Sequence, residues 1–156
     1  VDGAFELVHA TAVAVGGDAV LIRGPSGSGK SDLALRCLAV APCALIPAPA
    51  GLVADDQVRI ERVGDRLRAS APPAIRDKLE VRGLGIVTVP AVPAADVVLI
   101  ADLVSAAEIE RLPEPMPPVR LLGIEVPVLR LAPFEPSAPI KLLMALCSRR
   151  GRNLGP

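Results

Sequence analysis

The run Gly24-Pro25-Ser26-Gly27-Ser28-Gly29-Lys30-Ser31 meets every position of the phosphate-binding loop pattern: a glycine, four residues, then Gly-Lys-Ser. Its glycines let the backbone curl without Cβ clashes and turn successive N–H groups toward a phosphate. Lys30 can reach the β- and γ-phosphates as a mobile charge, and the Ser31 hydroxyl can ligate a bridging Mg²⁺. The flanks agree with the motif. Ala19-Val20-Leu21-Ile22 is a short apolar run of the buried-strand kind, and Ser31 to Ala39 carries apolar residues at helical spacing. Strand, glycine loop and helix N-terminus form a ready anion site, so a bound nucleoside triphosphate is expected on Gly24 to Ser31.

Outward from the loop, Glu6 to Val15, a turn at Gly16-Gly17-Asp18 and Ala19–Arg23 read as a hairpin. The prolines of Ala41 to Gly51 predict an irregular connection, followed by a short strand Leu52-Val53-Ala54 that ends in Asp55-Asp56. Residues 57–62 and 66–70 alternate around Gly64-Asp65 as a hairpin with one wet face. Gly83-Leu84-Gly85 introduces a strand over 86–89, and Ala95 to Ala101 is apolar enough to be covered on both sides. Short strands at 121–122, 124–126 and 128–131 precede a helix from about Pro139 to Arg150. Strands outnumber helices. The expected fold is α/β: one domain over residues 1–150 with a mixed, hairpin-rich sheet around the P-loop, and a disordered tail over 151–156.

Composition narrows the function classes. With 156 residues the chain suits one core, and no apolar run nears the roughly 18 residues of a membrane span. Seventeen basic and 17 acidic residues cancel, which removes the bulk electrostatic case for nucleic acid or an anionic membrane. A basic patch at Arg149-Arg150-Gly151-Arg152 reads as a solvated helix end, and the proline-rich 113–118 segment as a stiff linker. Cys37, Cys43 and Cys147 have no metal-ligand spacing and read as small buried residues of a reducing compartment. The N-terminal residues lack the pattern of a secretory signal, so a cytoplasmic protein is expected. Two Phe and no Trp or Tyr leave no aromatic platform for a base, so backbone and aliphatic contacts are expected to hold any bound base.

Phosphoryl transfer also needs a metal clamp and a group that manages the acceptor's proton. Asp55 and Asp56 end a strand two dozen residues past the loop, where one can face a metal and the other an acceptor; a turn-forming role fits an Asp pair equally well. His9 is the only histidine, and a lone histidine is more often structural than catalytic. On spacing alone Glu80 is an ordinary exposed carboxylate, and Arg111 is one arginine among many.

Taken together, Val8-His9-Ala10, the P-loop, Leu52-Val53-Ala54-Asp55-Asp56 and Leu79-Glu80-Val81-Arg82-Gly83-Leu84-Gly85-Ile86 resemble the catalytic domain of HPr kinase/phosphorylase, in the family's order and over about Leu7 to Leu131. The resemblance implies a core similar to phosphoenolpyruvate carboxykinase. It also implies an ATP- and Mg²⁺-dependent enzyme that phosphorylates a serine of the phosphocarrier HPr and removes that phosphate by phosphorolysis. Asp56 then corresponds to the proton acceptor, and to the proton donor in reverse. His9 supports it, Lys30 holds the phosphates, Ser31 and Glu80 bind Mg²⁺ with help from Asp55, and Arg111 matches the catalytic arginine, though Pro113 replaces a glycine. A hexamer is implied. Because the chain begins just before the catalytic part, it is similar to short α-proteobacterial forms that serve a regulatory phosphotransferase system. The family's Pro-Val-Arg-Pro-Gly-Arg-Asn loop is here Ala132-Pro133-Phe134-Glu135-Pro136-Ser137-Ala138-Pro139, which leaves Lys141 as the only nearby cation and phosphorolysis open. A nucleotide-sensing regulatory module and a small-molecule kinase are the alternative readings.

Overall fold

The chain's structure, a computed structural model, describes residues 4–149; the expected tail over 151–156 and most of the basic patch lie outside the described residues. Twelve strands and two α-helices follow one another in the described residues. The eight-stranded main sheet contains β1 (Phe5–Val8), β2 (Thr11–Val15), β3 (Asp18–Arg23), β4 (Ala50–Ala54), β5 (Val58–Val63), β6 (Arg66–Ser70), β9 (Ala94–Leu103) and β12 (Val128–Leu131). Seven of them follow the order β1-β5-β6-β9-β3-β2-β4, and β12 pairs with β9 off this path. Parallel pairing joins β9 to β3 and to β12, and every other pair in this sheet is antiparallel. The expectation of a mixed, hairpin-rich sheet therefore holds.

Helix α1 (Lys30–Leu38) and helix α2 (Ala138–Ser148) cover one face. Leu33, Ala34 and Cys37 of α1 and Leu142, Leu143 and Leu146 of α2 pack with Val13, Val20, Ile22 and Leu99. The other face is closed by the sheet curling over itself. There Ala12, Ala14 and Leu21 meet Val58, Ile60, Leu67 and Ala69, together with Leu121 and Val126 of the small hairpin β10 (Val119–Leu121) and β11 (Ile124–Val126). Alternation along β2 and β3 splits each strand between the two cores, so both faces are buried and the stretches Ala12 to Val15 and Ala19 to Ile22 are apolar.

Three local departures from the sequence expectation shape the site. The stretch from Glu6 to Val15 is two strands, because the chain bends at His9-Ala10 and β1 pairs with β5 while β2 goes on to pair with β3 and β4. A strand not expected from sequence, β7 (Lys78–Val81), pairs with β8 (Gly85–Thr88) as a hairpin beside α1. The register of β2 against β4 slips between Ala12 and Val13, which partner Ala54 and Leu52, so Val53 is an extra, bulged residue. Val53 and Ala54 consequently both face the curled-sheet core, while Leu52 faces the helices. Without the bulge, strict alternation would send Asp55 away from α1; with it, Asp55 arrives on the α1 side.

Candidate functional site

The P-loop connects β3 to α1, as its flanks imply. Gly27 and Gly29 take φ of 80° and 99°, left-handed conformations that favour glycine, and Gly29 caps α1. The Ser28 N–H donates to Pro25 O at 3.0 Å, closing the loop's turn. Lys30 is buried at 5% exposure, its ammonium donating to the carbonyls of Gly24 (2.8 Å) and Pro25 (3.1 Å). The cation demanded by the motif thus sits under the loop, with its charge held by backbone oxygens.

Asp55 is the centre of the polar network. Its Oδ1 accepts from Ser31 Oγ at 2.6 Å and from Thr11 Oγ1 at 3.1 Å, and its Oδ2 accepts from the Glu80 backbone N–H at 3.1 Å. One carboxylate therefore ties together α1, β2, β4 and β7. Asp56 turns the other way. Its φ of 64° is left-handed, and its N–H donates to Thr11 Oγ1 at 3.2 Å. The divergence expected of neighbouring residues is present, but its cause is this backbone reversal rather than an extended strand. Asp56 Oδ1 lies 2.8 Å from His9 Nε2, and both side chains are more than half exposed. The bend at His9 makes that contact: Val8 partners Val58 across β1 and β5, and continuing the register past both strands brings His9 alongside the 56–57 turn.

These groups line one cleft of about 480 Å³, bounded by Ser26, Gly27, Gly29, Lys30 and Ser31 on one side and by Asp55, Asp56, Glu80 and Arg82 on the other, with Phe134 at its edge. Of the sequence-singled residues, the structure brings His9, Lys30, Ser31, Asp55, Asp56 and Glu80 to one end of the sheet. Gly24 holds Lys30 from behind, while Pro25 and Ser28 line a second, adjacent cleft. Arg111 is exposed in the 104–118 segment and lines neither cleft.

Three residues missed by sequence reasoning enter here. Arg82 lines the cleft, and its place beside Glu80 in Glu80-Val81-Arg82 was the available signal. Arg36 donates to the carbonyls of Pro133 and Glu135 and so straps the 132–137 loop onto α1. Lys141 is therefore not the only cation near that loop, and its ammonium is engaged by Glu135 at 2.5 Å. Phe134 stands against the P-loop: a Cβ placed on Gly29 would sit 3.0 Å from its ring atoms Cε1 and Cζ. Low aromatic content predicts no aromatic platform, yet one of the two Phe stands at the P-loop. Among the cysteines only Cys37 is buried, its thiol pushed up to about 12 by burial; Cys147 is half-buried and Cys43 is exposed, against the expectation of three buried thiols.

The donor set suits a hard divalent cation. Ser31 Oγ and Asp55 are 2.6 Å apart, with Glu80 on the same cleft wall. Among the described residues no group of three His, Cys, Asp or Glu side chains could hold a metal by itself. A site of one hydroxyl and one or two carboxylates fits an ion that keeps waters and shares phosphate oxygens, as Mg²⁺ does.

Comparison with known proteins follows the same line. A solved structure, that of the HPr(Ser) kinase/phosphatase from Coxiella burnetii, superposes with a TM-score of 0.76 at 25% identity, covering 96% of this chain and 99% of that one. The HPr kinase/phosphorylase of Chlorobium luteolum is 34% identical over 152 residues, 90% of this chain and 43% of its own length. That of Caldanaerobacter subterraneus subsp. tengcongensis is 33% identical over 157 residues, 94% of this chain and 48% of its length. The chain thus spans under half the length of these curated relatives. The family model described as HPr Serine kinase C-terminal domain matches residues 4–145, and the chain belongs to that family.

Proposed function

We propose that this chain is the phosphoryl-transfer module of a protein serine kinase that uses ATP and Mg²⁺ to phosphorylate an HPr-like phosphocarrier. The observation that carries the reading is the opposed pair Asp55 and Asp56, neighbours in sequence with one carboxylate bonded to Ser31 of the P-loop and the other to His9 at the open side of the same cleft. Phosphoryl transfer requires those two duties, a metal-side carboxylate and an acceptor-side base, within reach of one phosphate.

In this reading the loop N–H groups and Lys30 hold the β- and γ-phosphates, Lys30 exchanging its carbonyl partners for phosphate oxygens. Ser31 and Asp55, with Glu80 beside them, would hold Mg²⁺, which supplies charge neutralisation across the β- and γ-phosphates. Asp56 accepts the proton of the acceptor serine as that oxygen bonds to the γ-phosphorus and the bond to the β,γ-bridging oxygen breaks, releasing ADP. His9 orients the Asp56 carboxylate through the 2.8 Å contact. In the reverse direction inorganic phosphate attacks the seryl phosphate, pyrophosphate leaves, and Asp56 returns the proton to the serine oxygen. Arg82 is the cleft-lining cation for that second phosphate, since Lys141 is paired to Glu135 and Arg36 to backbone carbonyls. The proposal gives Arg111 no part within a single chain, because it lines neither cleft.

The test is incubation with γ-labelled ATP, Mg²⁺ and an HPr-like carrier. Label on a carrier serine supports the reading; ATP binding with an unlabelled carrier would favour a nucleotide-sensing module. Phosphorylated carrier plus inorganic phosphate, read by pyrophosphate release, tests the reverse reaction.

A further inference from the structure

The second cleft, of about 650 Å³, shares Phe134 with the polar one. Pro25, Leu103, Val104, Ala106, Ala132 and Pro133 give it apolar walls. Its charged lining residues are Glu108 and Glu135, with no Lys or Arg, so it offers a phosphate no cation while accepting an uncharged group. The size is that of a small-ligand site. Phe134 lines both clefts, and its ring occupies the space a Cβ on Gly29 would meet at 3.0 Å.

Phe134 is also an open aromatic face at 72% exposure. The chain's other aromatic, Phe5, is covered by the Arg59 guanidinium at 4.5 Å from its centroid. The Phe134 loop is held rather than free: Arg36 bonds the carbonyls on either side of the ring, and Glu135 is paired with Lys141. An exposed ring fixed in place at the border of a phosphate loop and an apolar cleft has the form of a stacking platform. Ser28 lines the P-loop border of this cleft.

We propose that Phe134 stacks on the base of the bound nucleotide and that the apolar cleft beside it is the base subsite. This rests on the reading of Gly24 to Ser31 as a nucleoside triphosphate site. The phosphates stay on the loop, the base passes over Gly29 to the ring, and the side at Asp56 and His9 is left open for the protein acceptor.

Calorimetric binding of ATP and of inorganic tripolyphosphate, both with Mg²⁺, to wild type and Phe134→Ala separates the two readings. Stacking of a base on an aromatic side chain is worth enough that ATP binding should weaken by about 10-fold in Phe134→Ala, while tripolyphosphate binding and the unfolding temperature stay unchanged. Phe134→Trp restores ATP affinity and installs the chain's only indole, whose fluorescence ATP quenches and tripolyphosphate leaves unaltered. Equal ATP affinity in wild type and Phe134→Ala, or equal weakening of both ligands, overturns the base subsite and leaves the P-loop reading standing. A wild-type protein that binds neither ligand overturns both.

Discussion

Replacing Asp55 by Asn changes almost no volume and removes the charge on which the site converges. In the wild type Oδ1 takes two donors, Ser31 Oγ and Thr11 Oγ1, and Oδ2 takes the Glu80 N–H. An asparagine oriented to keep the two hydroxyl bonds presents its NH₂ to the Glu80 N–H, donor against donor, in a side chain from a residue only 8% exposed. Leaving that donor unsatisfied costs about 1–3 kcal/mol, and turning two bonds to a charged acceptor into neutral ones costs about 1 kcal/mol more, so about 2–4 kcal/mol is expected. For a chain of this length each kcal/mol moves the midpoint by about 2–4 °C, giving a fall of roughly 4–16 °C. Thermal unfolding followed by circular dichroism reads the shift, and hydrogen exchange at the Glu80 amide reads the local opening. The Mg²⁺ dependence of ATP binding should disappear in the same variant. A midpoint within 1–2 °C of wild type together with undiminished protection at Glu80 would refute the three-donor account.

Two other substitutions and labelling experiments follow from the same geometry. Lys30→Ala should weaken ATP binding by about 100-fold or more, as befits loss of charge-assisted phosphate bonds, read by calorimetry; affinity within threefold of wild type would exclude the ammonium from the phosphates. Alkylation at pH 8 should label Cys43 first and Cys37 only on unfolding, since burial holds the Cys37 thiol near 12. The folded state keeps that proton longer than the unfolded one, so Cys37 contributes a stability loss as pH rises from about 9 toward 12 and nothing below. Denaturant titrations of Cys37→Ala across that window should show a flatter decline than wild type.

The parts of the site that the sequence disclosed are those whose chemistry is local. A glycine loop followed by Lys and Ser states its own geometry, and Asp55-Asp56 after an apolar strand placed two carboxylates within reach of it. The rest depended on long-range pairing. Nothing in Glu6 to Val15 marks the bend at His9 except that β1 finds β5 some 50 residues later. Lys78–Val81 alternates charged and apolar residues over too few positions to be told from a loop until β8 pairs with it. The bulge at Val53 breaks alternation that the sequence alone would continue, and it is this slip that turns Asp55 toward Ser31. Phe134 was visible as a residue and invisible as a neighbour of Gly29, because α1 and the 132–137 loop meet only after some hundred residues have folded between them.

The claim at the centre of this account is that Asp56 moves the proton of an acceptor serine. Its most direct test is single-turnover transfer from γ-labelled ATP to an HPr-like carrier by Asp56→Asn, with ATP binding measured on the same sample. Nucleotide affinity should stay within about twofold of wild type while transfer slows by about 10²–10⁴. Transfer at the wild-type rate would contradict that claim.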